Sequence, residues 1–548
     1  MKLENNQIIF SPTDLANHLS CNYITVLNKK VLAGELTKPK MENRVLDLLR
    51  EKGIQFEADF LQNLIDEGLQ VVQIEQKDPL AEKKTIDAMK AGVDVIFQAR
   101  LVEKGQWAGW SDFVLKVPGT SDLGDWQYEV LDTKLSNETR AGAILQISLY
   151  SEKIGALQGK MPENMHIQKP EGRATYRVAD YISYFRLAKK RLMDSIQQDD
   201  FSSYPEAVPH CDICNWFLVC NRQRRQDDHL SFVAGMGRSQ IKEFKMQQVS
   251  TLEQLANTPL PLNFKPNRGD IQTFQKLREQ ARLQFIERDS GEATIELLPN
   301  VDNKGFHLLP EPSKHDIYLD LEGDPLVDPD GREYLFGWIY QNEYVAIWSE
   351  DADAELAAYE RFMDFAFQVK LQHPDMHIYH YAAYEVTALK RLMGKYASKA
   401  EELDYFLRSG SFVDLYAVVK QSLLASVEKY SIKNLEKFYG LEREMDLREL
   451  GKIKSEYDYL LESNQLESVD PMMREAIQLY NYDDCNSTVE LHKWLEGLRL
   501  AQIDAGYEIP RPEMAEGEAS AKLTEHQELI KPIFEALIDD LPVEGRDV

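Results

Sequence analysis

The sequence predicts an α/β protein, with mixed strand-and-helix regions in both halves and a mainly helical stretch between them. Three observations carry this. Segments 107–116 and 128–134 have strand character and lead into a helical segment at 141–154. From about residue 314 strands and helices alternate: HDIYLDLEG, EYLFGWIY, EYVAIWS and MHIYHY read as strands, and 355–368, 385–396 and 471–498 as helices. Residues 226 to about 300 carry helical periodicity instead. At 548 residues and 43% hydrophobic content the chain is too long for one core.

The earlier elements follow in order. Residues 14–28 read as an opening helix, with Leu15, Leu19 and Val26 at roughly helical spacing. Residues 44–66 read as a second helix, broken near Gly53. In GMGRSQIKEFKMQQVSTLEQLA two short helices flank a turn at 248–250, and Ser250 is positioned to cap the second. This stretch faintly resembles a helix-hairpin-helix, and a plain helical linker is the favoured reading. The sequence from Glu513 onward is acidic and weakly periodic.

Composition narrows the class. No apolar run reaches eighteen residues, so no membrane span is expected. MKLENNQIIFSPTDL lacks the basic-then-apolar pattern of a signal peptide, so a cytoplasmic protein is expected. Five cysteines are too few for a disulfide framework in a chain of this length, which favours metal binding or burial. A net charge of −28 argues, taken alone, against nucleic acid. Carboxylate-rich metal sites add to that negative sum. Two local basic clusters run the other way: Arg186, Lys189, Lys190 and Arg191, then Arg222, Arg224 and Arg225. Solvated helix faces are the favoured reading of either cluster alone.

Side chains alternate along a strand, so Trp110, Asp112 and Val114 share a face, as do Val130, Asp132 and Lys134. Gln146 and Tyr150 then share a helix face. Two carboxylates can hold divalent metal while a lysine steadies the water or the developing charge, a set suited to phosphodiester hydrolysis. For Asp132 and Lys134 alone, a salt bridge is the simpler reading. Together, Gly109–x2–Asp112, Asp132–x–Lys134 and Gln146–x3–Tyr150 resemble the RecB-type nuclease signature. That family commonly has a histidine ligand on an upstream helix. Here GIQFE places Phe56 at that position, with Glu57 as the nearest acid, which leaves the first ligand and the number of metals open.

Cys211-x2-Cys214-x5-Cys220 is a compact thiolate cluster, with Cys21 roughly 190 residues upstream. Four thiolates fit a [4Fe–4S] cluster and also structural zinc. One early cysteine plus a late triplet resembles the iron–sulfur clasp of RecB-family nucleases, and the long loop is unusual for zinc. The resemblance implies a cluster held by Cys21, Cys211, Cys214 and Cys220 that ties the first helix to the end of this domain. Cys485 is left over as a buried thiol.

In IYLDLEGD, Tyr318, Asp320 and Glu322 share one strand face and Ile317, Leu319 and Leu321 the other. Two acids facing one way on a core strand are costly unless a cation offsets them. In YNYDDC, Tyr480 and Asp484 are one helical turn apart. These segments resemble the DEDDy exonucleases: Asp320 and Glu322 match their first motif, Tyr480 and Asp484 their third. Their second appears as His380-x3-Tyr384-Glu385, with Glu385 where aspartate is usual. Asp414 reads as supporting rather than catalytic. This resemblance implies a ribonuclease H-like αβα fold with a mixed sheet, Mg²⁺ or Mn²⁺ on Asp320, Glu322, Glu385 and Asp484, and Tyr480 positioning the water.

The order of parts resembles the RecB-like nuclease family whose longer members continue into a superfamily 1 helicase. It implies an iron–sulfur nuclease domain at 1–225, a helical linker at 226–300, an exonuclease domain at 301–510 and an acidic tail at 511–548. No GxxxxGK[ST] loop occurs, so any ATP-driven unwinding would fall to a separately encoded helicase or ATPase. The expectation is a divalent-metal-dependent DNA nuclease acting on single strands or ends, in DNA repair or anti-phage defence. The rival is a non-catalytic DNA-binding or scaffolding subunit with degenerate sites.

Overall fold

The computed structural model describes all residues except 5–6, 41–43, 104–105, 137, 198–202, 328–329, 444, 514–527, 534–535 and 537–548. Most of the acidic 511–548 segment thus lies outside the described residues. The chain divides into two units, Met1–Asp227 and Asp228–Val548. Both are mixed α/β. Among the described residues no helix is long and apolar enough to cross a membrane.

The first unit is built on a six-stranded mixed sheet. Its order is Val71–Gln73, Val95–Glu103, Trp107–Ser121, Gly124–Thr133, Asn164–Lys169 and Gly172–Arg177. Alternation along Trp107–Ser121 sends its side chains to two cores. Val114 joins Val130, Ile147 and Tyr150 beneath helix Ala141–Gln158. Phe113 and Leu115 face Phe60, Leu61 and Leu64 of helix Arg44–Asp66. The acids on the central strands are therefore fixed by a sheet packed on both faces.

The second unit carries a five-stranded mixed sheet in the order Glu343–Trp348, Arg332–Tyr340, Ile317–Asp324, Ile378–His380, Phe412–Asp414. The first three strands are antiparallel and the last two join in parallel. Ile317, Leu319 and Leu321 pack against helices Ala352–Gln372, Tyr384–Tyr396 and Ala400–Arg408. Val413 and Tyr379 join a second core with helices Leu415–Ser422, Ile432–Tyr439 and Pro471–Asp504. This is the αβα layering expected, with a mixed sheet in the middle. The helices after Asp228 also fall within this unit. Gln280 of helix Ile271–Ser290 donates to the carbonyls of Ala425 at 2.8 Å and Val427 at 3.3 Å.

Several elements differ from expectation. The opening helix is two, Pro12–Ser20 and Asn22–Leu32, because Cys21 is extended and its N–H bonds Asn17. Helix Arg44–Asp66 runs unbroken through Gly53; one helical glycine costs about 1 kcal/mol, less than the packing of its apolar face returns. The cap of helix Leu252–Ala256 is Thr251, not Ser250: the Thr251 hydroxyl accepts from Gln254 N at 3.0 Å. Strand Trp107–Ser121 and helices Ala141–Gln158, Ala352–Gln372 and Pro471–Asp504 exceed their expected lengths, since ladder and packing partners continue beyond the point where periodicity fades. In the first basic cluster, Arg186 pairs with Glu152, and Lys189 with Glu103 and Glu152, so much of its charge is already offset.

Candidate functional site

The first unit brings Glu57, Asp112, Asp132, Lys134, Gln146 and Tyr150 together. Asp112 Oδ2 accepts from Thr133 N at 2.8 Å and from its hydroxyl at 2.9 Å, which clips the two acid-bearing strands together. Asp132 is completely buried. It accepts from Gln146 Nε2 at 3.1 Å and pairs with Lys134 Nζ. Burial pushes the Asp132 carboxyl well above the usual range, Asp112 adds to this, and Lys134 opposes it. Burial pulls the Lys134 ammonium down, but Asp132 and Asp112 outweigh it and hold it above its ordinary value. Glu57 accepts from Gln98, and burial plus Asp112 push it up to about 7. The helix acid beside Phe56 thus shares the electrostatic field of Asp112. Gln98 itself has φ +54, a left-handed residue within strand Val95–Glu103.

Tyr150 shows why the first motif begins with glycine. Its hydroxyl donates to the Trp110 carbonyl at 2.6 Å, and its ring lies over Gly109. A β-carbon at Gly109 would sit 2.7 Å from Tyr150 Cε1 and 3.1 Å from Pro12 Cδ. Gly109→Ala is therefore expected to lower the stability of this unit by about 1–3 kcal/mol through overpacking. Thermal denaturation checks this; an unchanged midpoint would mean that the Tyr150 ring is not held against the strand.

Cys21, Cys211, Cys214 and Cys220 line one small cavity together with His210 and Trp216. Burial pushes the Cys220 thiol up to about 12, with Cys214 and Cys21 adding to it, and burial likewise raises Cys214. Val208 N lies 3.5 Å and Arg224 Nη1 4.0 Å from Cys211 Sγ. Trp216 Nε1 and Arg224 Nε are buried without a hydrogen-bond partner.

In the second unit Asp320, Glu322 and Asp484 converge, with one oxygen from each within 4.8 Å of the others. They are the tightest acidic group among the described residues: no other set of three or more His, Cys, Asp or Glu meets that spacing. Desolvation raises the Asp320 carboxyl well above its ordinary value, and Asp484, Glu322 and Glu385 add to it. Burial also raises Glu322 to about 7 against the opposing pull of Lys454. Glu385 borders the group but is not one of the three. Its Oε2 lies 3.6 Å from His380 Nδ1 and has no hydrogen-bond partner, although the residue is buried. Asp414 caps helix Leu415–Ser422 and accepts from Ala382 N at 2.9 Å, a structural part in the turn before Glu385. Cys485 is fully buried, as expected.

Sequence reasoning missed the groups that hold these acids. Lys433 Nζ lies 3.1 Å from Asp484 Oδ2, Arg443 binds Asp484 Oδ1, and Lys454 lies 3.3 Å from Glu322. Lys433 also stands 4.7 Å from the Tyr480 ring centroid. Asn481 is buried and donates to Asp320 Oδ2 at 2.7 Å and to its carbonyl at 3.1 Å, while its own oxygen accepts from Tyr344 at 2.8 Å. Gly337 makes room for it: a β-carbon there would fall 1.5 Å from Asn481 Oδ1. Neither these cations nor the partner of Asn481 carries a local sequence signal, because each contact depends on how helix and strand meet.

Residues 317–496 match a family model described as RNase_H superfamily. No curated protein matches the chain. The match spans the strand carrying Asp320 and Glu322 and the helix carrying Tyr480 and Asp484, so both acid-bearing elements of this site belong to the ribonuclease H-like domain. Such a domain points to nuclease-type chemistry with divalent metals. The crowded carboxylates of Asp320, Glu322 and Asp484, with Glu385 beside them, are a donor set suited to such a cation.

Proposed function

We propose that this chain is a divalent-metal-dependent DNA nuclease with two cleavage centres, acting on single strands or ends in DNA repair or anti-phage defence. The observation that carries the reading is the convergence of Asp320, Glu322 and Asp484 within a ribonuclease H-like domain. Asp320, Glu322, Glu385 and Asp484 would hold Mg²⁺ or Mn²⁺ there, and Glu57, Asp112 and Asp132 in a RecB-type first unit. Bound metal supplies a polarised phosphate and an activated water. Tyr480 orients that water in the second unit, with Lys433 beside its ring. In the first, Lys134 is held as an ammonium beside Asp132 and is placed to offset charge on the phosphate, while Gln146 fixes the second oxygen of Asp132. A separately encoded helicase or ATPase would supply unwinding.

The decisive experiment incubates purified protein with labelled single- and double-stranded DNA and RNA, with Mg²⁺ or Mn²⁺ and then with chelator. Metal-dependent, chelator-sensitive loss of DNA is expected. The competing reading, a non-catalytic DNA-binding or scaffolding subunit, draws on the Arg443–Asp484 ion pair, which already engages a ligand oxygen. Intact substrate under every condition would favour it.

Lys134→Ala is expected to abolish cleavage by the first unit and also to destabilise it, because Asp132 is completely buried and loses its counter-charge. Adding Asp132→Asn should restore stability without restoring activity. A fully active Lys134→Ala protein would remove this unit from catalysis.

The cysteine cavity is proposed to hold a [4Fe–4S] cluster. Four cysteine thiols lining one cavity are the ligand set of such a cluster, and zinc takes the same four thiolates. The unpartnered Trp216 and Arg224 donors beside it suit a cluster that accepts N–H···S bonds. Protein purified without oxygen should be brown and contain iron and sulfide. Cys214→Ser should lose the colour and destabilise the first unit. Stoichiometric zinc in place of iron would overturn the assignment.

A further inference from the structure

The second unit contains two lysines whose setting the proposed cleavage centres do not explain. Lys276, on helix Ile271–Ser290, and Lys420, on helix Leu415–Ser422, are neighbours: Lys276 Nζ donates to the Lys420 carbonyl at 3.1 Å. Both side chains are half-buried, and burial pulls both ammonium groups below their ordinary value; Lys276 pulls Lys420 down further. Among the described residues neither ammonium has a carboxylate within 4.0 Å. In a chain of net charge −28 this is a conspicuous omission, since 91 acidic side chains were available to pair with them. Lys420 Nζ instead lies 4.2 Å from the Tyr430 ring centroid, a neutral support that leaves its charge uncompensated.

The surface over this pair is open on one side. Gly235 is exposed and left-handed, with φ +81. A β-carbon on it would stand 3.8 Å from Lys420 Nζ, with little else near it but Leu277. The missing side chain therefore keeps the ammonium accessible, and exposed Arg238 follows three residues later. Two like charges held together at a desolvation cost, with no acid and an open approach, are arranged for an anion supplied from outside.

We propose that Lys276 and Lys420, beneath Gly235, form a binding site for a backbone phosphate of a nucleic-acid strand, separate from the carboxylate centres. The proposal extends the nuclease reading and rests on it for the choice of a nucleic acid as the phosphate source. The site would hold the strand by charge and not by sequence.

The test measures binding of a labelled single-stranded oligonucleotide to the full chain in chelator, where the carboxylate centres cannot cut. Each phosphate contact contributes about 0.7 to the slope of log affinity against log salt for single strands. Lys276→Gln with Lys420→Gln removes that one contact and should therefore lower the slope by about 0.7, while the paired arginine substitutions should keep it. Gly235→Asp adds a surface carboxylate over Lys420 at a backbone conformation aspartate tolerates, and should weaken binding without touching the core. An unchanged slope in both the glutamine and aspartate variants, or no oligonucleotide binding by the parent protein, overturns the inference. Inorganic phosphate that binds in a lysine-dependent way, with no lysine effect on the oligonucleotide, would assign the site to free phosphate and overturn it equally. Lysine-dependent binding without metal-triggered cleavage would uphold this site and remove the nuclease reading; cleavage with an unchanged slope would do the reverse.

Discussion

Asp320→Asn is expected to remove cleavage by the ribonuclease H-like domain, by about a thousandfold, and to erase most of its stabilisation by metal. Several kcal/mol of transition-state stabilisation act through a metal in such a site, and each 1.36 kcal/mol is tenfold in rate. Asp320 is the centre of the group: desolvation and three neighbouring carboxylates already disfavour its charge. Metal binding relieves that repulsion in the folded state alone, so metal at 100 times its dissociation constant should add about 2.7 kcal/mol. The gain should depend on pH in a defined direction. Burial raises Glu322 in the folded protein to about 7 from 4.5. A raised acid stabilises the metal-free fold fully below its unfolded value, and that contribution is lost as pH climbs through about 7. Metal requires the deprotonated form, so its effect on the melting temperature should be small near about pH 5.5 and large near about pH 8. Thermal scans with and without Mn²⁺ at both pH values read this directly. A variant that keeps the parental metal gain and activity would show that Asp320 holds no metal.

Gly337→Ala should be the most damaging single methyl group in the second unit. Its β-carbon would overlap Asn481 Oδ1 at 1.5 Å and approach Cγ at 2.6 Å. Asn481 is completely buried and bridges Asp320 to Tyr344, so it has nowhere to retreat without leaving polar atoms unpaired. The loss should be about 3 kcal/mol or more, combining overpacking with broken buried hydrogen bonds. Helix Pro471–Asp504 would also move off the sheet, taking Tyr480 and Asp484 from Asp320 and Glu322, so metal stabilisation should fall as well. Asn481→Ala alone should cost less, about 1–2 kcal/mol. The double variant should be more stable than the sum of the two predicts, because alanine at 481 vacates the space the new methyl needs. Strict additivity would mean that the two residues do not meet.

The candidate sites were legible in proportion to how local their signals are. Asp320 and Glu322 stand out because two acids on one face of an apolar strand are costly, and that cost is visible in eight residues. Tyr480 and Asp484 show up as one helical turn. The spacing of Asp132 and Lys134 is local in the same way. Gln98, by contrast, reaches Glu57 only because its backbone turns left-handed within a strand, which no residue pattern signals. Lys433, Arg443 and Lys454 each read as an ordinary surface cation until folding lays them against Asp484 and Glu322. The opening helix was misjudged for a similar reason: periodicity continues across Cys21, while the backbone there is extended.

The sequence alone therefore determined the α/β character of both halves, the alternation that sorts acids from core side chains on each strand, and the grouping of Cys211, Cys214 and Cys220. Those properties follow from side-chain period and short-range spacing, which the chain carries in its order. Tertiary structure decided which distant residues share a site. It set Asn481 over Gly337, placed Glu385 beside His380 and outside the three-acid group, brought Cys21 to the late cysteines, and left Lys276 and Lys420 together without an acid. Those outcomes depend on the approach of packed elements to within a few ångströms, and burial, not sequence spacing, sets the energy of a charge once it is there.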